Sequence, residues 1–261
     1  HRPGICRASF DYWFPYICER NESGYYEDVK RCLEYRYSLI DEIKAYRSKR
    51  DVRRLFKDAL QVTRKRLLKK RPLIKDPIAF FSAEWLADRF GMDVIVLIRH
   101  LAAFAGSLKK AHWGFPFADF LRQPLLMERH LEPFRQNIEE YAEQKRDIVD
   151  QAILLWKVIH HVISSYKEDR SEWFFVRHED LSRNPVEEYR NLYDKLGLEF
   201  TPRVEETIRK HSFSNRSERL VRDSNSNILS WKKRLTLDEI DRVQANTAEI
   251  WPEFYSEEEW N

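Results

Sequence analysis

The sequence predicts an α/β fold in which a central parallel sheet is flanked by many helices. Residues 94–98 form the strongest strand signal, since five consecutive apolar, mostly β-branched residues indicate burial on both faces, as in a parallel sheet. Residues 173–176 form a second buried strand, and helical periodicity precedes and follows each run. Strands that alternate with helices are typical of α/β proteins. No repeat or flexible linker divides the chain, so we predict a single domain over residues 1–261.

The remaining elements follow from local patterns. The first 24 residues are rich in aromatic side chains and aperiodic, which predicts an irregular segment. Residues 72–75 form a short apolar run that ends at Asp76 and Pro77, which predicts a strand stopped by proline. Apolar spacing and helix-start signals predict helices over residues 25–46, from 51, over 79–90, 101–111 and 131–166 (broken near 145–146), and from 185, 202 and 237.

Composition narrows the functional classes. Of the 261 residues, 43% are hydrophobic and 34% charged, which excludes a disordered chain. The net charge of +3 comes from 46 basic and 43 acidic residues, a balance less one-sided than nucleic-acid binders show. No apolar run is long enough to predict a membrane-spanning helix. All three cysteines lie in the first 32 residues without a C-x-x-C pair, so we expect a reducing, cytoplasmic compartment.

Polar side chains follow each predicted strand, where ligands bind in open parallel sheets. Lys75 and Asp76 follow the first strand, Arg99 the second and His178 the third. An arginine at this position offers a planar fork of donors that can hold a phosphate through two bonds, and Ser107 lies almost two helical turns further on. Spacing alone also allows a structural arginine in a salt bridge and a serine on the helix surface.

The segment DVIVLIRHLAAFAGSLKKAHW resembles the 3′-phosphate-binding segment of PAPS-dependent sulfotransferases, in which a strand is followed by Arg, a spacer and Ser. Upstream, RPLIKDP is similar to the family's strand ending in a functional lysine. Downstream, WFFVRHEDLSRNPVEEYRNLYDKLGL, HSFSNRS and RDSNSNILSWKKRLT resemble the parts that close the nucleotide site. The resemblance spans residues 71–251 in order and implies the P-loop-like sulfotransferase architecture.

The resemblance also implies roles for individual residues. Arg99 and Ser107 would hold the 3′-phosphate of PAPS, and Lys75 would face the transferring sulfuryl group. The other implied contacts, near the adenine ring and in a late basic loop, are His178, Ser212, Phe213, Arg222 and Lys232, with Trp231 anchoring the loop beside Lys232.

Sulfuryl transfer depends on positioning and on cations that absorb developing charge, so we expect no metal site. The acceptor hydroxyl needs a base, for which Asp76 and His112 are the candidates, because Pro77 stands where many cytosolic members have histidine. No glycine-rich phosphosulfate loop precedes Lys75. We therefore expect that the first strand and this loop are missing from the chain, and that the chain as given lacks activity.

The sequence thus predicts a sulfotransferase that moves a sulfuryl group from PAPS to a hydroxyl, on a small molecule, carbohydrate or glycolipid, and releases adenosine 3′,5′-bisphosphate. An enzymatic alternative is a P-loop-like nucleotide kinase, which requires an upstream G-x-x-x-x-G-K-[ST] loop and an acidic Mg²⁺ site. A non-enzymatic alternative is a basic helical module for RNA or acidic glycans that uses residues 64–71, a run that more often is a solvated helix end.

Overall fold

The computed structural model describes residues 4–44, 49–144, 146–212 and 228–260, without the side chains of residues 49–54. It is helix-rich, with a small two-stranded parallel sheet. The chain separates into two compact units, His1–Met92 with Arg122–Leu126, and Asp93–Leu121 with Met127–Asn261. The single domain stays a prediction.

The helices and strands follow one another in this order: α1 Tyr26–Leu33, α2 Leu39–Lys44, α3 Lys49–Leu67, α4 Ala83–Phe90, β1 Ile95–Ile98, α5 Leu101–Ala111, α6 Ala118–Leu121, α7 Pro124–Leu126, α8 Arg135–Glu143, α9 Ile148–Asp169, β2 Phe174–Arg177, α10 His178–Arg183, α11 Pro185–Lys195, α12 Pro202–Ser212 and α13 Leu237–Ala245. Short 3₁₀ segments include Pro77–Ser82 and Ser230–Lys233. The helix predicted over residues 25–46 is two helices, α1 and α2, and the break predicted near 145–146 separates α8 from α9.

The first unit packs its irregular N-terminal segment against α1 and α4. Ala8, Ile17, Val29 and Trp85 form its buried apolar cluster. The Trp85 indole donates to Glu22 at 2.7 Å, so the one polar atom of this ring is paired. The aperiodic aromatic start of the chain therefore contributes to a core, while most of it stays irregular, as predicted.

The predicted strand over residues 72–75 is wrong. These residues form no regular element, and the Leu73 side chain is 85% exposed. A strand needs a neighbour for its backbone donors and acceptors, and two apolar residues in a short segment between prolines do not supply one. Lys75 therefore follows an irregular segment, and Asp76 caps the 3₁₀ segment Pro77–Ser82 by accepting from the Ile78 N–H at 3.1 Å.

In the second unit, β1 and β2 pair in parallel, with Ile95 opposite Phe174 and Ile98 opposite Arg177. Both predicted strands and their parallel pairing are confirmed. The expectation that β1 is buried on both faces is wrong: Val96 and Ile98 are buried, whereas Ile95 and Leu97 are 41% and 54% exposed. Within the described residues the sheet has only two strands. Other parts of the protein cover one face of β1 and leave its other face exposed.

Helices complete the second unit. The long helix α9 contributes many of the buried side chains, including Leu155, Trp156 and Val162, and α5 packs along it. Helix α13 also contacts both helices. It begins with a capping box, because Thr236 accepts from the Glu239 N–H at 3.2 Å while Glu239 accepts from the Thr236 N–H at 2.7 Å. Glu239 also receives two 2.7 Å bonds from Lys109 on α5.

We expect Thr236→Ala to lower the free energy of unfolding by about 1 kcal/mol, because it leaves a helix N-terminal donor without its acceptor. Urea unfolding followed by tryptophan fluorescence measures the change. Thr236→Ser keeps the hydroxyl and serves as the control. Equal stability of the alanine variant and the wild type would contradict a stabilising cap.

Candidate anion-binding site

The carboxyl ends of β1 and β2 carry Arg99, His100, His178 and Glu179. The Glu179 carboxylate, 3% exposed, accepts from the His100 N–H at 3.1 Å, and so links the residues that follow the two strands. Its second oxygen accepts from the Tyr255 hydroxyl at 3.0 Å. Because both carboxylate oxygens accept a hydrogen bond, Glu179 fixes the end of the sheet.

Arg99 leaves β1 with its backbone carbonyl held by the Trp156 indole at 3.0 Å. Its side chain is partly buried, and its Nε has no hydrogen-bond partner. Burial lowers the pKa of the Arg99 guanidinium, the nearby Glu179 carboxylate opposes this shift, and the positive charge of Arg234 adds to it. Arg99 is therefore a partly desolvated cation that a bound anion would stabilise.

Arg234 connects the two residues that the sequence paired. Its guanidinium donates to the Ser107 hydroxyl oxygen at 3.2 Å, and its charge acts on Arg99. A serine hydroxyl that accepts one bond keeps its own proton for another acceptor. Arg234 thus touches Ser107 directly and acts on Arg99 through its charge, and we call these three side chains the anion-binding cluster.

Gly106 explains how the Arg234 segment comes so close to α5. A Cβ at this position would lie 3.3 Å from the Trp231 Cβ and 3.4 Å from the Arg234 Cβ, closer than most side-chain contacts. Trp231 is 1% exposed and anchors the 3₁₀ segment Ser230–Lys233. The missing side chain therefore lets the backbone of this segment pack directly beside Ser107.

His178 also belongs to this region, because Arg99 contributes to lowering its pKa, after the larger effect of burial. Of the other predicted nucleotide contacts, Ser212 is buried at the end of α12. Lys232 is exposed, with its Nζ 5.5 Å above the Trp231 ring. Phe213 and Arg222 lie outside the described residues.

The predicted catalytic residues are not brought to the cluster by any described contact. Lys75 and Asp76 lie exposed in the first unit, and one Asp76 oxygen serves as the cap described above. His112 is exposed and follows the C-terminal end of α5. Arg99 precedes the other end of this 11-residue helix, about 15 Å away along its axis. These three catalytic assignments stay predictions.

The sequence reasoning missed Arg234 and Tyr255, and it placed Glu179 in the polar group after β2 without assigning it a role. The sequence carried a signal for Arg234 and for Glu179. Arg234 ends the W-K-K-R run that begins at Trp231, and Glu179 begins the E-D-L turn after β2. Tyr255 stands far from both strands in the sequence, and only the folded chain brings its hydroxyl to Glu179.

Aromatic rings surround His100, the residue between Arg99 and α5. Its ring stacks on Trp231 at 5.6 Å and meets Tyr255 and Trp260 edge to face at 4.8 and 4.5 Å. Neither ring nitrogen has a hydrogen-bond partner, and burial lowers the pKa of His100 to about 4. His100 is therefore a neutral packing residue at pH 7 that holds Trp231 against the end of the sheet.

Similarity to known proteins is partial. A stretch of 81 residues is 32% identical to carbohydrate sulfotransferase 1 of Danio rerio and covers 29% of this chain and 19% of that protein. The similarity is thus to a sulfotransferase. The chain spans about a fifth of the length of this relative. No family model and no solved structure matches the chain.

Two further features of the described residues bear on the site. They contain no cluster of three or more His, Cys, Asp or Glu side chains arranged to bind a metal ion. They also include no helix that is both long and apolar enough to span a membrane.

The buried, neutral His100 predicts that acid destabilises the fold. The pKa of His100 in the folded protein, about 4, lies below the usual value of 6.5. Between pH 6.5 and pH 4 the unfolded chain therefore binds a proton at this residue and the folded chain does not, so the free energy of unfolding falls as the pH falls. Between about pH 7 and pH 5, we expect the free energy of unfolding of His100→Phe to fall by about 2 kcal/mol less than that of the wild type. Urea unfolding at both pH values tests this.

His211→Phe is the matched control, because His211 is exposed at the end of α12. An acid-induced loss in His100→Phe as large as in the wild type would show that His100 is not responsible.

Proposed function

We propose that this protein is a sulfotransferase that binds PAPS and transfers its sulfuryl group to a hydroxyl of a carbohydrate. The single observation that carries the proposal is the Arg99 guanidinium, which is partly buried at the mouth of β1, has an Nε without a partner and lies near a second cation, Arg234. The partial similarity to a carbohydrate sulfotransferase supports both the reaction and the class of acceptor.

Each member of the anion-binding cluster has a distinct part in holding a terminal phosphate. Arg99 offers a bidentate fork, and a dianion beside it would offset the cost of its burial. Arg234 donates to the Ser107 oxygen, which leaves the Ser107 proton to point at a phosphate oxygen and polarises that hydroxyl. The cluster therefore fits the 3′-phosphate of the nucleotide, the group that separates PAPS from simpler adenine nucleotides.

The nucleotide supplies an activated sulfuryl group, and the protein supplies position and charge. Burial, and to a smaller extent Arg99, lower the pKa of His178, which favours the neutral form of its ring before a nucleotide binds. Its ring would offer a flat, uncharged surface to the adenine. Lys75 for the sulfuryl group and Asp76 or His112 for the acceptor proton complete the proposal as sequence-based assignments.

The decisive test is thermal denaturation with adenosine 3′,5′-bisphosphate. A ligand that binds only the folded protein adds about 2.7 kcal/mol of stability at a hundredfold excess over its dissociation constant. We expect Arg99→Ala to lose most of the resulting increase in melting temperature, and Arg234→Ala to lose a large part. Adenosine 5′-monophosphate should stabilise the wild type far less, because it lacks the 3′-phosphate.

Arg203→Ala is the control, since it removes an exposed arginine from α12 in the same unit. It should keep the full shift. A wild-type protein that responds equally to the two nucleotides, or an Arg99→Ala protein that responds like the wild type, would contradict the proposal. Transfer of labelled sulfate from PAPS to sulfate-free oligosaccharides then tests the reaction itself.

A second prediction concerns a residue without any polar group. Gly106→Val should weaken the binding of adenosine 3′,5′-bisphosphate about tenfold, or by about 1.4 kcal/mol. The new side chain would push Trp231 and Arg234 away from Ser107. Ala102→Val, on the buried side of the same helix, controls for general overpacking. If both variants bind equally well, the close approach at Gly106 does not matter for binding.

A further inference from the structure

Helix α3 carries an exposed apolar stripe. Phe56, Leu60 and Leu67 are 68%, 72% and 77% exposed, and Leu68, directly after the helix, is 55% exposed. At about 100° per residue, Phe56, Leu60 and Leu67 fall within about 40° of one another around the helix axis. Exposed large apolar side chains are ordinary when scattered, but a row of them on one helix indicates a contact surface.

The opposite side of α3 is buried. Asp58 and Val62 are 6% and 7% exposed, and they lie about 120° to 180° around the helix from the side chains of the apolar stripe. The helix is therefore oriented by its buried side, and the stripe is directed to the solvent. An amphipathic helix with a second apolar side is not explained by the core of its unit.

Cations flank the stripe on both sides. Arg64 and Arg66 lie about 80° from Phe56 in opposite directions, and Lys69 and Lys70 extend the charge beyond the helix end. Residues 56–71 contain seven basic residues and a single acidic one, the buried Asp58. Within the described part of the chain, neither Arg64 nor Lys69 nor Lys70 forms an ion pair with a carboxylate.

We propose that α3 and the residues up to Arg71 bind an anionic lipid surface, with the apolar stripe entering the acyl boundary and the flanking cations on the headgroups. The apolar stripe and the flanking cations together favour a lipid surface over other partners. Cations alone would suit RNA or an acidic glycan, but neither would bury the Phe56, Leu60 and Leu67 side chains. A second copy of the same face would bring two sets of seven cations together, which repel.

Interfacial helices combine buried apolar area with attraction to anionic lipids, and the two contributions can be tested apart. Sedimentation with phosphatidylcholine vesicles, with and without phosphatidylserine, measures the partition of the whole chain. We expect binding only with phosphatidylserine, weakened by added salt. Phe56→Ser with Leu60→Ser should reduce partitioning by about 100-fold. Lys69→Gln with Lys70→Gln should reduce it by about 30-fold.

The control variants make the same kinds of substitution at exposed positions outside α3. Leu237→Ser removes an exposed leucine, and Lys195→Gln with Lys210→Gln removes two exposed lysines, all from the second unit, and both should bind like the wild type. All mutated side chains are exposed, so melting temperatures should not change, and the lysine pair still tests the proposal if the Phe56 and Leu60 variant does not fold.

Three results would overturn the proposal. The first is the absence of binding to vesicles that contain phosphatidylserine. The second is binding that RNA or dextran sulfate competes away and that Phe56→Ser with Leu60→Ser leaves unchanged, which would assign the surface to a polyanion. The third is a dimer in light scattering that this variant makes monomeric, which would assign it to a second copy of the chain.

Discussion

The site depends on the buried Glu179 carboxylate. It accepts a bond from the backbone of His100 and another from the Tyr255 hydroxyl, so a single side chain links the residues after β1 and β2 with the C-terminal segment. Two short strands pair through few backbone hydrogen bonds. The buried, charge-assisted hydrogen bond between their ends therefore adds to the stability of the pairing. Removing one partner of such a contact leaves a buried charge uncompensated, which costs far more than the bond itself contributes.

The C-terminal segment strengthens the same arrangement from outside. Arg177, the last residue of β2, pairs with Asp180 and Glu259 and donates to the Phe254 carbonyl at 3.1 Å. Trp260 packs on His100. The last residues of the described chain thus hold the ends of the strands, so the geometry at Arg99 depends on residues about 160 positions away in the sequence.

Much of this could be predicted where local pattern decides the structure. The apolar runs gave β1 and β2, and the position of Arg99 at a strand end followed from them. The run at residues 72–75 looked similar but forms no strand, because strand formation depends on a neighbour that the pattern does not reveal. Arg234 and Tyr255 reach the site through long-range packing, and the approach at Gly106 depends on a clash that becomes visible only when both segments are in place.

The anion-binding cluster has one further property. Arg99 and Arg234 can only donate hydrogen bonds, and the Ser107 oxygen already accepts one of the two bonds it can accept, so what the three groups present to a ligand is mostly donors. A group that itself carries a proton to donate, such as a sugar hydroxyl or an amine, finds a single acceptor among them, the second lone pair of the Ser107 oxygen. Such a set of groups favours ligands that only accept hydrogen bonds, and its charge does not distinguish one tetrahedral oxyanion from another. Free phosphate and free sulfate would therefore compete for the same three groups.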